Sequence, residues 1–90
     1  FQATVLRWLK AKGCYVIKAQ AGPGVPVGCP DIIALLDGGG WLGLEIKASK
    51  TSRFQPLQKK TIEKLNNMYY ARVVYGENWN EIKKELESFL

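Results

Sequence analysis

Asp31, directly after Pro30, and the tripeptide Glu45-Ile46-Lys47 carry the residue types with the most chemical potential in this chain, and thirteen residues separate the two acids. Two carboxylates can hold a hard, oxygen-seeking cation such as Mg²⁺ or Mn²⁺, and a lysine beside them can polarise a water or a phosphate oxygen. That chemistry needs all three side chains in one place, so the segments around them must bring them together.

The local pattern does so. Leu42-Gly43-Leu44-Glu45-Ile46-Lys47-Ala48 alternates as a strand, with Leu42, Leu44, Ile46 and Ala48 on one face and Glu45 and Lys47 on the other. Asp31 opens the preceding apolar run Ile32-Ile33-Ala34-Leu35-Leu36, and Asp37-Gly38-Gly39-Gly40 between the two runs reads as a hairpin turn. Folding one strand back on the other sets Asp31 near Glu45 and Lys47. Each piece also has an ordinary reading. An acid after proline is commonly a solvated turn residue, and Glu-x-Lys on a strand is commonly an exposed charged pair, with a structural Glu45–Lys47 ion pair as the standing alternative. The combination carries more weight, because Glu45 and Lys47 are the sole charges between Asp37 and Lys50, and charges within an apolar strand call for a metal or an ion partner.

Gly28-Cys29-Pro30-Asp31-Ile32-Ile33-Ala34, Leu44-Glu45-Ile46-Lys47 and Phe54-Gln55-Pro56-Leu57-Gln58, taken in that order, resemble the PD-(D/E)XK nuclease superfamily, in particular its small VRR-NUC branch. The resemblance extends from about Phe1 to Val74. It implies a restriction-endonuclease-like α/β domain with a mixed sheet flanked by helices. It also implies that Asp31, Glu45 and the main-chain carbonyl of Ile46 bind Mg²⁺ or Mn²⁺, that Lys47 is the catalytic base or phosphate-polarising group, and that Gln58 contributes from the next helix. The family commonly carries a glutamate on its first helix, whereas no acid precedes Asp31 here and Gln2 is the nearest polar candidate. The expectation is that native residues, including such a glutamate, lie upstream of Phe1. A tyrosine often follows the family's glutamine by four residues, where this chain has Ile62.

Ninety residues, 47% of them hydrophobic, fit one domain over residues 1 to 90 with a single small core and no need of covalent staples. No run reaches the roughly 18 apolar residues of a membrane helix, and no leader pattern is visible, so the expected location is cytoplasmic, or host cytoplasm for a phage-encoded protein. Cys14 and Cys29 are too few for a disulfide scaffold and read as buried small hydrophobes or inert thiols. The chain has no histidine, which excludes Ser-His-Asp, Cys-His and histidine-based ribonuclease mechanisms.

The formal charge of +5 suits a polyanionic partner. Residues 1 to 30 hold Arg7, Lys10, Lys12 and Lys18 and no acid, while Glu77, Glu81, Glu85 and Glu87 gather at the other end. Lys50 and Arg53, on the segment leaving the Glu-x-Lys strand, are the best candidates to grip phosphates. Lys59 and Lys60 are candidates on the following helix, with Lys64 beside them, although a basic helix face is often merely solvated.

Elsewhere, Phe1 to Lys12 reads as a helix with Phe1, Val5, Trp8 and Leu9 as its apolar stripe, stopped by Gly13. Cys14 to Ala19 reads as a strand. The Gly- and Pro-rich stretch from Ala21 to Gly28 is either a connector or a loop able to close over a nucleic-acid strand. A helix from about Phe54 to Met68 is expected to turn Leu57, Thr61, Leu65 and Met68 inward, with Gln58 next to that stripe. Tyr69 to Tyr75 alternates as a strand, and Asn78-Trp79-Asn80-Glu81 looks like a capping box for a last helix with Trp79, Ile82, Leu86 and Phe89 inward. The resulting order is α-β-β-β-α-β-α.

These observations point to a metal-dependent endonuclease acting on DNA, selective for structure (junction, flap or nick), since so small a chain has little surface for reading sequence. The alternatives are a non-catalytic nucleic-acid-binding module of the same fold and a structural subunit docking through Trp79 and the last helix. Cutting both strands of a duplex would need a homodimer, expected to pair through the Trp79 helix or the first helix.

Overall fold

The computed structural model describes residues 1–19, 22–26, 28–52, 56–88 and 90. Ala21 and Val27 of the Gly- and Pro-rich loop, the phosphate-contact candidate Arg53, the expected helix opening at Phe54 with Gln55, and the inward position expected of Phe89 lie outside the described residues.

Helix α1 (Gln2–Ala11) is followed by strands β1 (Tyr15–Lys18), β2 (Ile32–Leu35) and β3 (Trp41–Ile46), then α2 (Pro56–Met68), β4 (Ala71–Val74) and α3 (Trp79–Glu87), the order read from the sequence. The four strands lie side by side in the order β1-β2-β3-β4. The first three form an antiparallel meander, and β4 runs parallel to β3, so α2 is the crossover that a parallel neighbour requires. Among the described residues, no helix is long and apolar enough to cross a membrane.

One face of the sheet is the core. Ile32 and Ala34 of β2, Leu42 and Leu44 of β3 and Val74 of β4 pack against Val5 and Leu9 of α1 and against Trp79, Ile82 and Leu86 of α3. Leu9, Ile32, Leu42, Leu44 and Leu86 are fully buried, each contributing about 1.5–3 kcal/mol of transfer free energy. Helix α1 ends where the sequence places its stop, with the amide of Cys14 reaching back to the carbonyl of Leu9 and Gly13 at φ +88°, a conformation that glycine adopts without penalty.

Two sequence expectations need correction. On α2 the buried residue is Ile62, and the inward stripe runs through Gln58, Thr61, Ile62, Leu65 and Asn66, while Leu57 and Met68, expected inside, are 46% and 61% exposed. The periodicity is helical, but Gln58 and Asn66 occupy the inner face because both have partners there: Gln58 bonds Glu45 and Lys47, and Asn66 accepts from the Ala71 amide. Asn78 sits at the cap position of α3 without a side-chain bond to the helix. Its oxygen accepts from the Tyr75 amide and its nitrogen donates to the Val73 carbonyl, both at 2.9 Å, so it pins the β4–α3 turn instead of forming a box with Glu81. Trp79, read as an inward residue of the last helix, is only 7% exposed. Its ring meets those of Phe1 at 6.2 Å and Trp8 at 5.4 Å, edge-on, so this aromatic surface is used inside the chain.

Candidate active site

The register places the two carboxylates opposite one another. Ile32 pairs with Leu44 across the β2–β3 ladder, so Asp31, one residue before β2, falls beside Glu45, and both lie on the face away from the core. As that ladder runs out, Asp31 takes over its hydrogen bonding: the Ile46 amide donates to Asp31 Oδ2 at 2.8 Å. One oxygen of Asp31 thus fixes the backbone at the end of β3, holding the Ile46 peptide and the two carboxylates in a common frame.

The loop ahead of Asp31 is anchored on both sides. Pro30 is fully buried and packs over Gly43, where a Cβ would come within 3.2 Å of the Pro30 ring. Gly28 lies against α2 with φ +84°, and a Cβ there would approach Thr61 Oγ1 to 2.7 Å and the Leu57 carbonyl to 3.1 Å. No other residue type fits both the conformation and the space. The contact ties the Asp31 segment to the first turn of α2, which carries Gln58.

Glu45 is the buried charge of the described residues, 2% exposed. Its Oε2 accepts from Gln58 Nε2 at 2.9 Å and lies 3.3 Å from Lys47 Nζ. Lys47 Nζ in turn donates to Gln58 Oε1 at 3.1 Å. Glu45, Lys47 and Gln58 therefore close a three-membered ring of polar contacts, whereas Glu45 Oε1 is buried without a hydrogen-bond partner. A buried carboxylate oxygen left in that state is costly. Burial, and then the negative charge of Asp31, push the Glu45 carboxyl above its usual range, with Lys47 pulling it back.

Cys29 stands within the same field. Burial, then the charges of Glu45 and Asp31, push its thiol up, and both cysteines are free, in keeping with the inert role read from the sequence. Among the described residues no three His, Cys, Asp or Glu side chains converge as a metal cage. The available donors are two carboxylates, one with an unpartnered buried oxygen, and a backbone carbonyl beside them, a donor set that fits a hard divalent ion retaining several waters.

Asp31, Glu45, Lys47 and Gln58 are thus brought together as the sequence reading required. The basic candidates are dispersed. Lys50 is exposed beyond the end of β3, Lys60 is exposed on α2, and Lys59 borders a shallow hollow with Glu63, Ile62 and Val73 on the β4 flank of α2. Sequence reasoning missed the roles of Gly28 and Thr61 in docking the loop on α2; the positive φ of Gly28 left no signal beyond the glycine itself.

No family model matches the chain, and no curated protein matches it. Among solved structures, the chain is similar to one described as a VRR_NUC domain, with a TM-score of 0.73 over 99% of this chain and 92% of that one, at 22% sequence identity. The likeness covers nearly the whole of both chains, and at that identity it is a likeness of fold.

Proposed function

We propose that residues 1 to 90 form one metal-dependent endonuclease domain that hydrolyses phosphodiester bonds in DNA and selects its substrate by structure, as a junction, flap or nick. The observation that carries this reading is the buried Glu45 beside Asp31, with one oxygen held by Gln58 and Lys47 and the other unpartnered. The VRR_NUC-like fold supports it, as does the order of the motifs around Asp31, Glu45-Ile46-Lys47 and Gln58.

In this reading Asp31, Glu45 and the Ile46 carbonyl would hold Mg²⁺ or Mn²⁺. When bound, such an ion neutralises charge on a phosphate oxygen and lowers the pKa of a coordinated water. Lys47 orients the attacking water and offsets negative charge as it develops on the phosphate. Gln58 holds Lys47 and Glu45 at their mutual distance, so that the ammonium does not collapse fully onto the carboxylate. Asp31, through the Ile46 amide, fixes the end of β3 on which all of this depends.

The closed ring of Glu45, Lys47 and Gln58 also suits a rival, a DNA-binding module in which the ion pair is structural. Incubation with branched and linear DNA in Mg²⁺, Mn²⁺ and EDTA separates the two. Cleavage that needs the ion, and that falls by at least about a hundredfold in each of Asp31→Ala, Glu45→Ala and Lys47→Ala, is the expected result. A Lys47→Ala protein that is well folded by circular dichroism and cuts as fast as wild type would refute the mechanism. DNA bound but uncut under every condition would favour the binding module.

A further inference from the structure

Asp31 lies just outside the ladder that would hold it. The β2–β3 pairing runs from Ile32 with Leu44, so the backbone of Asp31 has no partner on β3, and its carbonyl accepts instead from the Ala19 amide at 2.8 Å, on the β1 side. The side chain bonds the Ile46 amide. That bond works against repulsion, because two carboxylates side by side push apart until a cation neutralises them. Their separation is therefore set by what grips the two segments from outside the sheet. Helix α2 grips both. Gln58 donates to Glu45 Oε2 at 2.9 Å and accepts from Lys47 Nζ at 3.1 Å. One turn on, Thr61 and the carbonyl of Leu57 face Gly28 so closely that a Cβ there would stand 2.7 Å from Thr61 Oγ1 and 3.1 Å from that carbonyl. Gln58 and Thr61, three residues apart, share one side of the helix. The link from Gly28 to Asp31 is stiff. The Cys29 amide donates to the Pro26 carbonyl at 3.2 Å, the Pro30 ring fixes its own backbone torsion, and Pro30 is fully buried against Gly43. A shift at Gly28 is passed on to Asp31 and does not die out in the loop.

We propose that helix α2 is a clamp that sets the spacing of the two carboxylates, with Gly28 and Thr61 as positioning residues that hold Asp31 as Gln58 holds Glu45. The proposal rests on the nuclease reading above, in which Asp31 and Glu45 share a divalent ion, and it assigns the affinity for that ion to a contact outside the donor set. Mg²⁺ demands near-ideal octahedral geometry with short bonds to oxygen, so small displacements of one carboxylate against the other weaken it. A side chain at Gly28 would force such a displacement. Turning Thr61 to another rotamer would relieve the closer contact, but the Leu57 carbonyl belongs to the helix backbone and cannot turn away. Gly24 supplies the contrast. It lies in the same loop with φ +87°, close to the +84° of Gly28, yet a Cβ there meets nothing within 4 Å. The two glycines share a backbone conformation, and only Gly28 touches α2.

The test has two readings, neither of which involves cleavage. The first is the Ile46 amide in ¹H–¹⁵N spectra without metal. Its bond to Asp31 is charge-assisted, so its proton resonates downfield and moves upfield as the bond loosens, with Asp31→Ala marking complete loss. The second is Mn²⁺ affinity by calorimetry in the absence of DNA. Gly28→Ala is expected to move the Ile46 resonance toward its position in Asp31→Ala and to weaken Mn²⁺ binding roughly ten- to a hundredfold, the effect of losing a group that orients a metal ligand. Thr61→Leu enlarges the other side of the contact and leaves the Gly28 backbone alone; it is expected to act in the same direction, and it carries the test if Gly28→Ala does not fold. Gly24→Ala is expected to match wild type in both readings. Circular dichroism confirms folding, and since both readings are taken on folded protein, a substitution that merely lowers stability moves neither. An unmoved Ile46 resonance in the folded variants, or an equal effect of Gly24→Ala, would overturn the clamp. So would Mn²⁺ binding that is lost in Asp31→Ala and Glu45→Ala but untouched in Gly28→Ala and Thr61→Leu, a result that leaves the metal reading standing. If the wild-type protein binds no Mn²⁺ while the Ile46 resonance responds as expected, the metal reading fails and the clamp on Asp31 stands.

Discussion

Gln58 offers the sharpest test of the site, because it touches both charged members of the ring and is itself neutral. Gln58→Ala removes the 2.9 Å bond to Glu45 Oε2 and the 3.1 Å bond from Lys47 Nζ. Hydrogen bonds to charged groups are worth about 1.5–3 kcal/mol each in net terms. Not all of that reaches the reaction. Lys47 keeps its contact with Glu45 at 3.3 Å, and water can enter the space left by the amide. What is lost is the constraint on where the ammonium stands. Retaining about half of the two bonds' worth as a positioning effect gives about 1.5–3 kcal/mol on the barrier, or roughly ten- to a hundredfold in rate. The same range is typical of losing a partner that orients a metal ligand.

The assay is single-turnover cleavage at saturating Mg²⁺, with thermal melting to confirm folding. The loss is expected in the rate constant, with DNA affinity little changed, because Gln58 meets the substrate through Lys47. A double-mutant cycle decides the point. If Gln58 acts by holding Lys47, then Gln58→Ala should cost far less in a Lys47→Ala background than in wild type. An equal loss in both backgrounds would show that Gln58 works independently of Lys47, and the ring of contacts would then have no catalytic meaning.

Three further outcomes are expected. Replacing Lys50 and Arg53 with Ala should weaken DNA binding across sequences and reduce the slope of log affinity against log salt by about 0.9 for each lost phosphate contact on a duplex; an unaltered slope would move the phosphates toward Lys59 and Lys60. Glu45→Gln should abolish cleavage yet melt higher than wild type at pH 7.5 in EDTA, each kcal/mol gained raising the midpoint by about 4–8 °C for a domain of this size. Since the Glu45 carboxyl is pushed above its ordinary 4.5, its contribution to stability is full below that pH and drains away as pH rises through the raised value, so the advantage should vanish near pH 4.5, and a constant gap would contradict the assignment. Sedimentation equilibrium at micromolar concentration tests the homodimer needed for paired cuts: a mass near 10.1 kDa with and without DNA would leave an enzyme that nicks or trims one strand.

How much of this was legible in the sequence differs between the strands and α2, for a physical reason. On β3 the alternation of Leu42 and Leu44 with Glu45 and Lys47 is the direct imprint of a two-residue period on a sheet with one dry face, and it fixes which side chains share the site. The hairpin glycines fix the partner strand, and the register then brings Asp31 across. On α2 the same reasoning, applied to hydrophobic residues alone, puts Leu57 and Met68 inside and leaves Gln58 at the margin. The structure reverses this. Gln58 and Asn66 turn inward because each has a tertiary partner, the Glu45–Lys47 pair for one and the Ala71 amide for the other. No pattern internal to a helix encodes such partners. Leu57 and Met68 turn outward and are exposed. Two misplacements on one helix therefore share one cause. Where a sequence buries a polar residue and exposes apolar ones on the same element, local rules have yielded to something outside the local segment.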